Sequence, residues 1–341
     1  MLAARLHPGR STLSLEDVST PEPVGTEVLV EVIACGVCRS DLHILDGAFR
    51  DTMQLPVTMG HEIVGRVAAA GPYAGAVPLD EHVAVMAGWG CGHCRTCVSG
   101  REQICPDGNE AGATRDGGFA EYVLVPHRRH LVSLDGLDPL QATPLGCAAL
   151  SAFAAVRRVA PAVLPGAAVV VIGIGGLGGF AVQLVPALTG GRVIAVDSNP
   201  ERLAQAQALG ATAILADAQA PAHIRELTGG DGAAAVIDLV GTDETLALAA
   251  GVVGRRGIVA LLGLAGGSFR FSFESLAPEA SLTTVVAGTI ADLHDVARLA
   301  RQGAIHAPVT LYPLAEIDRA LADLAAGIVI GRAAVVPGTP R

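Results

Sequence analysis

The chain has 341 residues, 51% of them hydrophobic and only 16% charged, with a mean hydropathy of +0.48 and a formal charge of −10. A chain this apolar buries enough surface to offset ordering entropy, which excludes intrinsic disorder, and seven cysteines over this length exclude a disulfide-stapled miniprotein. Acids outnumber bases 33 to 23, and every base is an arginine outside any cluster, so neither nucleic acid nor an anionic membrane is expected as a partner.

Residues 1–10 carry Arg5, His7 and Arg10 but no apolar core of signal-peptide length. Clustered cysteines without such a signal predict a reducing, cytoplasmic setting. Residues 1–145 read as strand-rich, with β-type runs at 27–34, 63–69, 81–86, 120–126 and 130–134 separated by Gly and Pro. A helix is predicted from 38 to 45. A second spans 146–160, with Leu150, Phe153, Ala154 and Val156 on its apolar side.

From residue 167 the rhythm becomes strand, then helix. Strands are predicted at 168–172, 192–197, 213–216, 234–238, 257–262 and 282–287, with helices at 176–188, 200–209, 218–227 and 242–251. Six apolar strands with helical crossovers predict an α/β doubly wound parallel sheet. The tail (helices 291–302 and 314–325, strand 328–336) breaks the alternation and is expected to return to the first domain. The expected domains are 1–147 with 288–341, and 148–287. The run from 159 to 191 has no charged side chain and is the best membrane candidate. Pro161, Pro165, Pro186 and the glycines of 173–179 interrupt it, so it reads as strand, loop and helix, with Pro186 expected to kink the helix near its end.

Val169–Ile172 leads into Gly173-Ile174-Gly175-Gly176-Leu177-Gly178, a G-x-G-x-x-G pattern between a strand and a helix. There Gly173 would make the tight turn, Gly175 admit a pyrophosphate, and Gly178 let helix and strand pack. The helix N-terminus would add free N–H groups. Asp197 ends the next strand, nineteen residues after Gly178, where an acid accepts from ribose hydroxyls and repels a 2′-phosphate; this favours NAD over NADP. The plain alternative is ordinary glycine turns with Asp197 capping a helix.

Cys91, Cys94, Cys97 and Cys105 place four thiols within fifteen residues. This spacing suits a closed, structural zinc site that would order a lobe of about 88–109, with His93 a bystander. A redox switch or free surface thiols are the alternatives. Cys38, His61 and Cys147 are scattered, and no spacing rule joins them; singly, each reads as a core residue.

The stations Cys35-Gly-Val-Cys38-Arg39-Ser40-Asp41-Leu42-His43, Gly60-His61-Glu62, the four-cysteine lobe, Pro144-Leu145-Gly146-Cys147, the glycine loop and Val196-Asp197 resemble the zinc-dependent alcohol dehydrogenases of the medium-chain dehydrogenase/reductase superfamily. The resemblance spans nearly the whole chain. It implies a GroES-like β domain joined to a Rossmann domain.

It also implies two zinc ions per chain, the catalytic one on Cys38, His61 and Cys147 and the structural one on Cys91, Cys94, Cys97 and Cys105. Glu62 resembles the acid near the catalytic zinc, and Asp41 the carboxylate that orients His61. Ser40 resembles the hydroxyl that relays a proton through the nicotinamide ribose to His43 and solvent. Arg39 and Arg332 resemble pyrophosphate contacts, Arg202 would reach the adenosine ribose, and Thr289 would lie near the nicotinamide; the three arginines also fit a solvated surface.

The implied reaction is hydride transfer between NAD and a small or medium alcohol/aldehyde/ketone pair, with zinc as Lewis acid. Phe49 and Trp89 are candidate pocket residues that also read as packing, and Val286-Ala287 hints at a roomy pocket. A homo-oligomer, tetramer before dimer, is implied. A specialised C=N or C=C reductase and a non-catalytic NAD- and zinc-binding sensor fit the same motifs.

Overall fold

The computed structural model describes residues 1–338, and the chain divides into two compact units. One is Met1–Cys147 together with the chain from Thr289 onward; the other is Ala148–Gly288. Gly288 closes the second unit, where an added Cβ would meet Leu150 Cδ1 at 2.5 Å. Residues 339–341 of the expected C-terminal return lie outside the described residues.

The first unit is built around the strand Val28–Val37. It pairs antiparallel with Glu62–Ala70, Tyr122–Val125 and Arg332–Val336. His82–Val85 and Leu131–Ser133 extend the sheet at one edge, and Val309–Pro313 at the other. Arg332–Val336 brings the C-terminal segment back to the N-terminal one, with Ala333 opposite Val37 and Val335 opposite Cys35. Val28, Val30 and Val32 share a buried core with Ile63, Val67, Phe119 and Val123. Each such side chain contributes about 1.5–3 kcal/mol by leaving water.

Among the strands of this unit that were not expected are the hairpin Leu2–Leu6 with Leu13–Asp17, Val309–Pro313 and the two-residue strands Val57–Thr58, Gly88–Trp89 and Asn109–Glu110. Leu2–Leu6 has the composition of a helix, LAARL, and becomes a strand only by pairing with Leu13–Asp17 and Val57–Thr58.

The second unit is one six-stranded parallel sheet: β1 Ala168–Ile172, β2 Arg192–Asp197, β3 Thr212–Leu215, β4 Ala233–Asp238, β5 Val253–Leu261 and β6 Ser281–Thr284. Their order is β3-β2-β1-β4-β5-β6. All five residues of β1 are buried, which requires an unbroken apolar run rather than alternation. Helix Gly178–Thr189 continues through Pro186 for three more residues and closes on Gly190, whose φ of +69° a side chain would resist. Among the described residues no single helix is long and apolar enough to cross a membrane.

Candidate active site and metal centres

The lobe cysteines converge. Cys91 and Cys97 Sγ are 3.9 Å apart, Cys94 and Cys105 Sγ are 3.7 Å apart, and all four sulfurs lie within 4.8 Å of one another. A tetrahedron with zinc–sulfur bonds of about 2.3 Å has edges of about 3.8 Å, so the donor set fits zinc and is far too open for disulfides. The N–H groups of Cys91 and Cys94 donate to Cys105 and Cys91 Sγ, which favours thiolate. The Thr96 hydroxyl heads the contacts that hold the Cys94 thiol down at about 6, while burial pushes Cys97 up to about 12. Val98 and Ile104 are exposed, so the lobe has almost no core of its own. Arg129 ties it to the sheet by donating to Gly90 O at 2.8 Å and facing Glu102 Oε1 at 3.2 Å. His93 is exposed.

The second cluster gathers residues far apart in sequence. Ligand atoms of Cys38, His61, Glu62 and Cys147 lie within 4.8 Å of one another. Cys38 is the N-cap of helix Arg39–Leu45, and its N–H donates to Asp41 Oδ2 at 2.8 Å. The other Asp41 oxygen, buried, stands 3.4 Å from His61 Nδ1, leaving Nε2 for the cluster. Burial pulls His61 down, but Asp41 and the Cys38 sulfur outweigh it and hold the imidazole well above its usual value. Cys38 is held well below the usual thiol value by the Cys147 side chain, and Cys147 is pushed well above it by Cys38 and by burial. Cys147 sits between the turn Thr143–Gly146 and the helix Ala148–Val159, not inside the helix as the periodicity suggested. Two thiols and an imidazole make a three-ligand set that leaves zinc a fourth position.

Glu62 lies over Gly36, its neighbour across the sheet, where a Cβ would come within 2.3 Å of Glu62 Oε2. Its Oε1 pairs with Arg332 Nη2, both side chains being buried. Arg332, expected to contact the pyrophosphate, is paired here with Glu62, which supplies the counter-charge a buried guanidinium requires. Thr289 is likewise engaged, as the N-cap of helix Ile290–Arg301. Its hydroxyl accepts from Asp292 N–H while its own N–H donates to Asp292 Oδ2. Trp89 belongs to the core, its indole N–H donating to Met86 O at 2.6 Å. Phe49 is exposed, with φ +60°. Arg39 is exposed, Ser40 Oγ lies 3.7 Å from Cys38 Sγ, and His43 is half-buried three residues on.

In the second unit the glycine loop has the shape its pattern demands. Gly173 has φ +89° and donates to Val196 O at 2.8 Å. A Cβ on Gly178 would lie 2.2 Å from Gly173 O, whereas one on Gly175 would project into open space. That space, beside Gly176 and Leu177 at the start of helix Gly178–Thr189, is a cradle that a side chain at 175 would fill. Asp197 Oδ2 accepts from Ile174 N–H at 2.6 Å and Oδ1 from Asn199 N–H at 2.8 Å, so the carboxylate also fixes the loop. Arg202 Nη1 stands 3.9 Å from Asp197 Oδ2.

Residues 25–136 match the alcohol dehydrogenase GroES-like domain family, and residues 176–302 the zinc-binding dehydrogenase family. The chain is 35% identical to an NAD-dependent alcohol dehydrogenase of Sulfurisphaera tokodaii, covering 99% of this chain and all of that protein. It is also 35% identical to a D-arabinose 1-dehydrogenase (NADP(+)) of Saccharolobus solfataricus, over 98% of this chain and 97% of that one. The crystal structure of the alcohol dehydrogenase from Aeropyrum pernix superposes with a TM-score of 0.92 at 33% identity, covering 99% of this chain and all of that one. With both domain families matched in order and relatives aligned end to end, the chain belongs to the zinc-type alcohol dehydrogenases of the medium-chain dehydrogenase/reductase superfamily.

Proposed function

We propose that the protein transfers a hydride between an alcohol and NAD, interconverting the alcohol with its aldehyde or ketone. The observation that carries this reading is the cluster of Cys38, His61 and Cys147, two thiols and an imidazole brought together from three segments. When bound, zinc supplies a Lewis acid for the substrate oxygen and NAD supplies the hydride carrier. Asp41 holds His61 in one tautomer, and Arg332 keeps the buried Glu62 charge compensated beside the ligands. In this reading Ser40 takes the proton of the substrate hydroxyl and His43 exchanges it with solvent, supported by Ser40 lying beside Cys38 and by the half-exposed His43 ring.

The lobe cysteines hold a second, structural zinc. One relative is named for D-arabinose and NADP(+), yet Asp197 supports NAD here, because a carboxylate at that strand end repels a 2′-phosphate. A cytoplasmic setting accords with six of seven cysteines standing in metal-ligand clusters. A homo-oligomer, a tetramer in this reading, accords with exposed Leu282 in the edge strand β6 and with exposed Phe271 and Phe273 in the loop before it and Val286 just after it. The test is a steady-state assay of the zinc-loaded protein with an alcohol and ketone panel and both nucleotides. Turnover with NAD is expected, and none in either direction would refute the reading.

A further inference from the structure

The dinucleotide crevice has a second wall that the glycine fingerprint does not describe. The sheet order reverses between β1 and β4, and ligands of such sheets lie outside the carboxyl ends of the strands at that reversal. The glycine loop follows β1 on one side. On the other side β4 ends in Asp238, which is completely buried.

Asp238 Oδ1 accepts from the N–H groups of Val240 at 2.9 Å and Gly241 at 3.0 Å, and Leu239 N–H donates to Ile172 O of β1 at 3.0 Å. The Leu239–Ile172 bond is the last rung of the ladder between β4 and β1, and the carboxylate turns the chain immediately beyond it. Val240 then rests on Gly173, where an added Cβ would come within 2.6 Å of Val240 Cγ2. Behind it, a Cβ on Gly263 would lie 2.0 Å from Val240 C, and Gly241 takes φ +79° with no room for a Cβ beside Gly263 O. The turn is clamped between the two loops.

Asp238 Oδ2 is buried without a hydrogen bond of normal geometry. Burial pushes the carboxyl up, against the Val240 N–H, the Thr245 hydroxyl and the Gly241 N–H. A half-satisfied buried carboxyl is a costly way to end a strand, so its presence here needs a reason beyond strand termination.

We propose that Asp238 is a positioning residue for the nicotinamide half of the dinucleotide: by fixing residues 239–241 it sets Val240 against Gly173 and shapes the crevice on the β4 side. The proposal rests on the NAD reading above. Asp197, ending β2 on the far side of β1, serves the adenosine half, so the two carboxylates divide the crevice between them.

The test uses the zinc-loaded full chain and calorimetric dissociation constants for NADH and for AMP, which lacks the nicotinamide half. Asp238→Ala should weaken NADH about tenfold and leave AMP within about twofold of wild type. Asp238→Asn keeps an oxygen to accept from Val240 and Gly241 and should hold both within about twofold. Val240→Ala keeps those hydrogen bonds but removes the wall. It should reproduce the selective NADH loss, and it decides the matter if Asp238→Ala does not fold. Unchanged NADH binding in Asp238→Ala and Val240→Ala overturns the proposal, as does equal weakening of NADH and AMP. A wild type that binds neither nucleotide overturns the NAD reading itself.

Discussion

The pair of Glu62 and Arg332 allows a quantitative prediction. The two side chains are 0% and 5% exposed, and their strands are joined through the register of Val28–Val37. Removing Arg332 strands a carboxylate in a site that water does not reach, and breaking a buried pair in this way costs about 3–5 kcal/mol. Arg332→Met is expected to show that loss. Replacing both partners, as Glu62→Gln with Arg332→Met, removes the stranded charge and should cost about 1 kcal/mol or less. The chain has a single tryptophan, Trp89, buried in the core of the same unit, so its fluorescence reports unfolding of that unit. With a urea slope of about 3 kcal/mol/M, Arg332→Met should lower the midpoint by about 1–2 M and the double variant should recover most of it. Additive losses in the double variant, or an Arg332→Met midpoint equal to wild type, would refute the claim that Arg332 serves Glu62.

Three further outcomes follow from the geometry. Gly178→Ala forces a Cβ against Gly173 O and should cost about 1–3 kcal/mol of stability together with NADH affinity. Gly175→Ala meets no atom of the chain and should lose NADH affinity at unchanged stability; calorimetry and thermal melts separate the two. His130 is pulled down to about 3, chiefly by burial and then by Arg129 and His127. Its unfolded value is about 6.5, so the unfolded chain takes up a proton that the native chain refuses. Stability is therefore lost as pH falls through that window, by about 2 kcal/mol between pH 6.5 and 4.5. Paired urea titrations at the two pH values should show a smaller drop in His130→Gln, and an equal drop would count against the assignment. Chelation should loosen the cysteine lobe, whose Val98 and Ile104 are already exposed, and open Arg95 and Arg101 to trypsin; cleavage that ignores zinc would contradict a structural role for the metal.

What the sequence revealed and what it hid divide by distance along the chain. The lobe cysteines lie within fifteen residues, and Gly173–Gly178 with Asp197 lies within one strand–helix–strand unit, so their spacing alone carries geometry. The parallel strands were visible because burial on both faces leaves continuous apolar runs. Cys38, His61 and Cys147 are brought together from distant segments by contacts that no local pattern records. Arg332 meets Glu62 across 270 residues, and its role as a counter-charge depends on Gly36 leaving room for the carboxylate. Leu2–Leu6 and Val309–Pro313 are strands by virtue of their partners, Leu13–Asp17 and Val57–Thr58 for the first and Arg332–Val336 for the second, and Cys147 occupies a break that helical periodicity passes over. Asp238 had a local signal, an acid ending an apolar strand as Asp197 does, but without the turn it supports that signal had no meaning.

The most direct test of the account combines zinc content, NADH binding and alcohol turnover in wild type and Cys147→Ala. The account predicts two zinc ions per chain and NAD-dependent turnover in wild type. The variant should hold one zinc ion, bind NADH normally and show no turnover. Turnover that survives Cys147→Ala would contradict the assignment of Cys38, His61 and Cys147 as the catalytic centre.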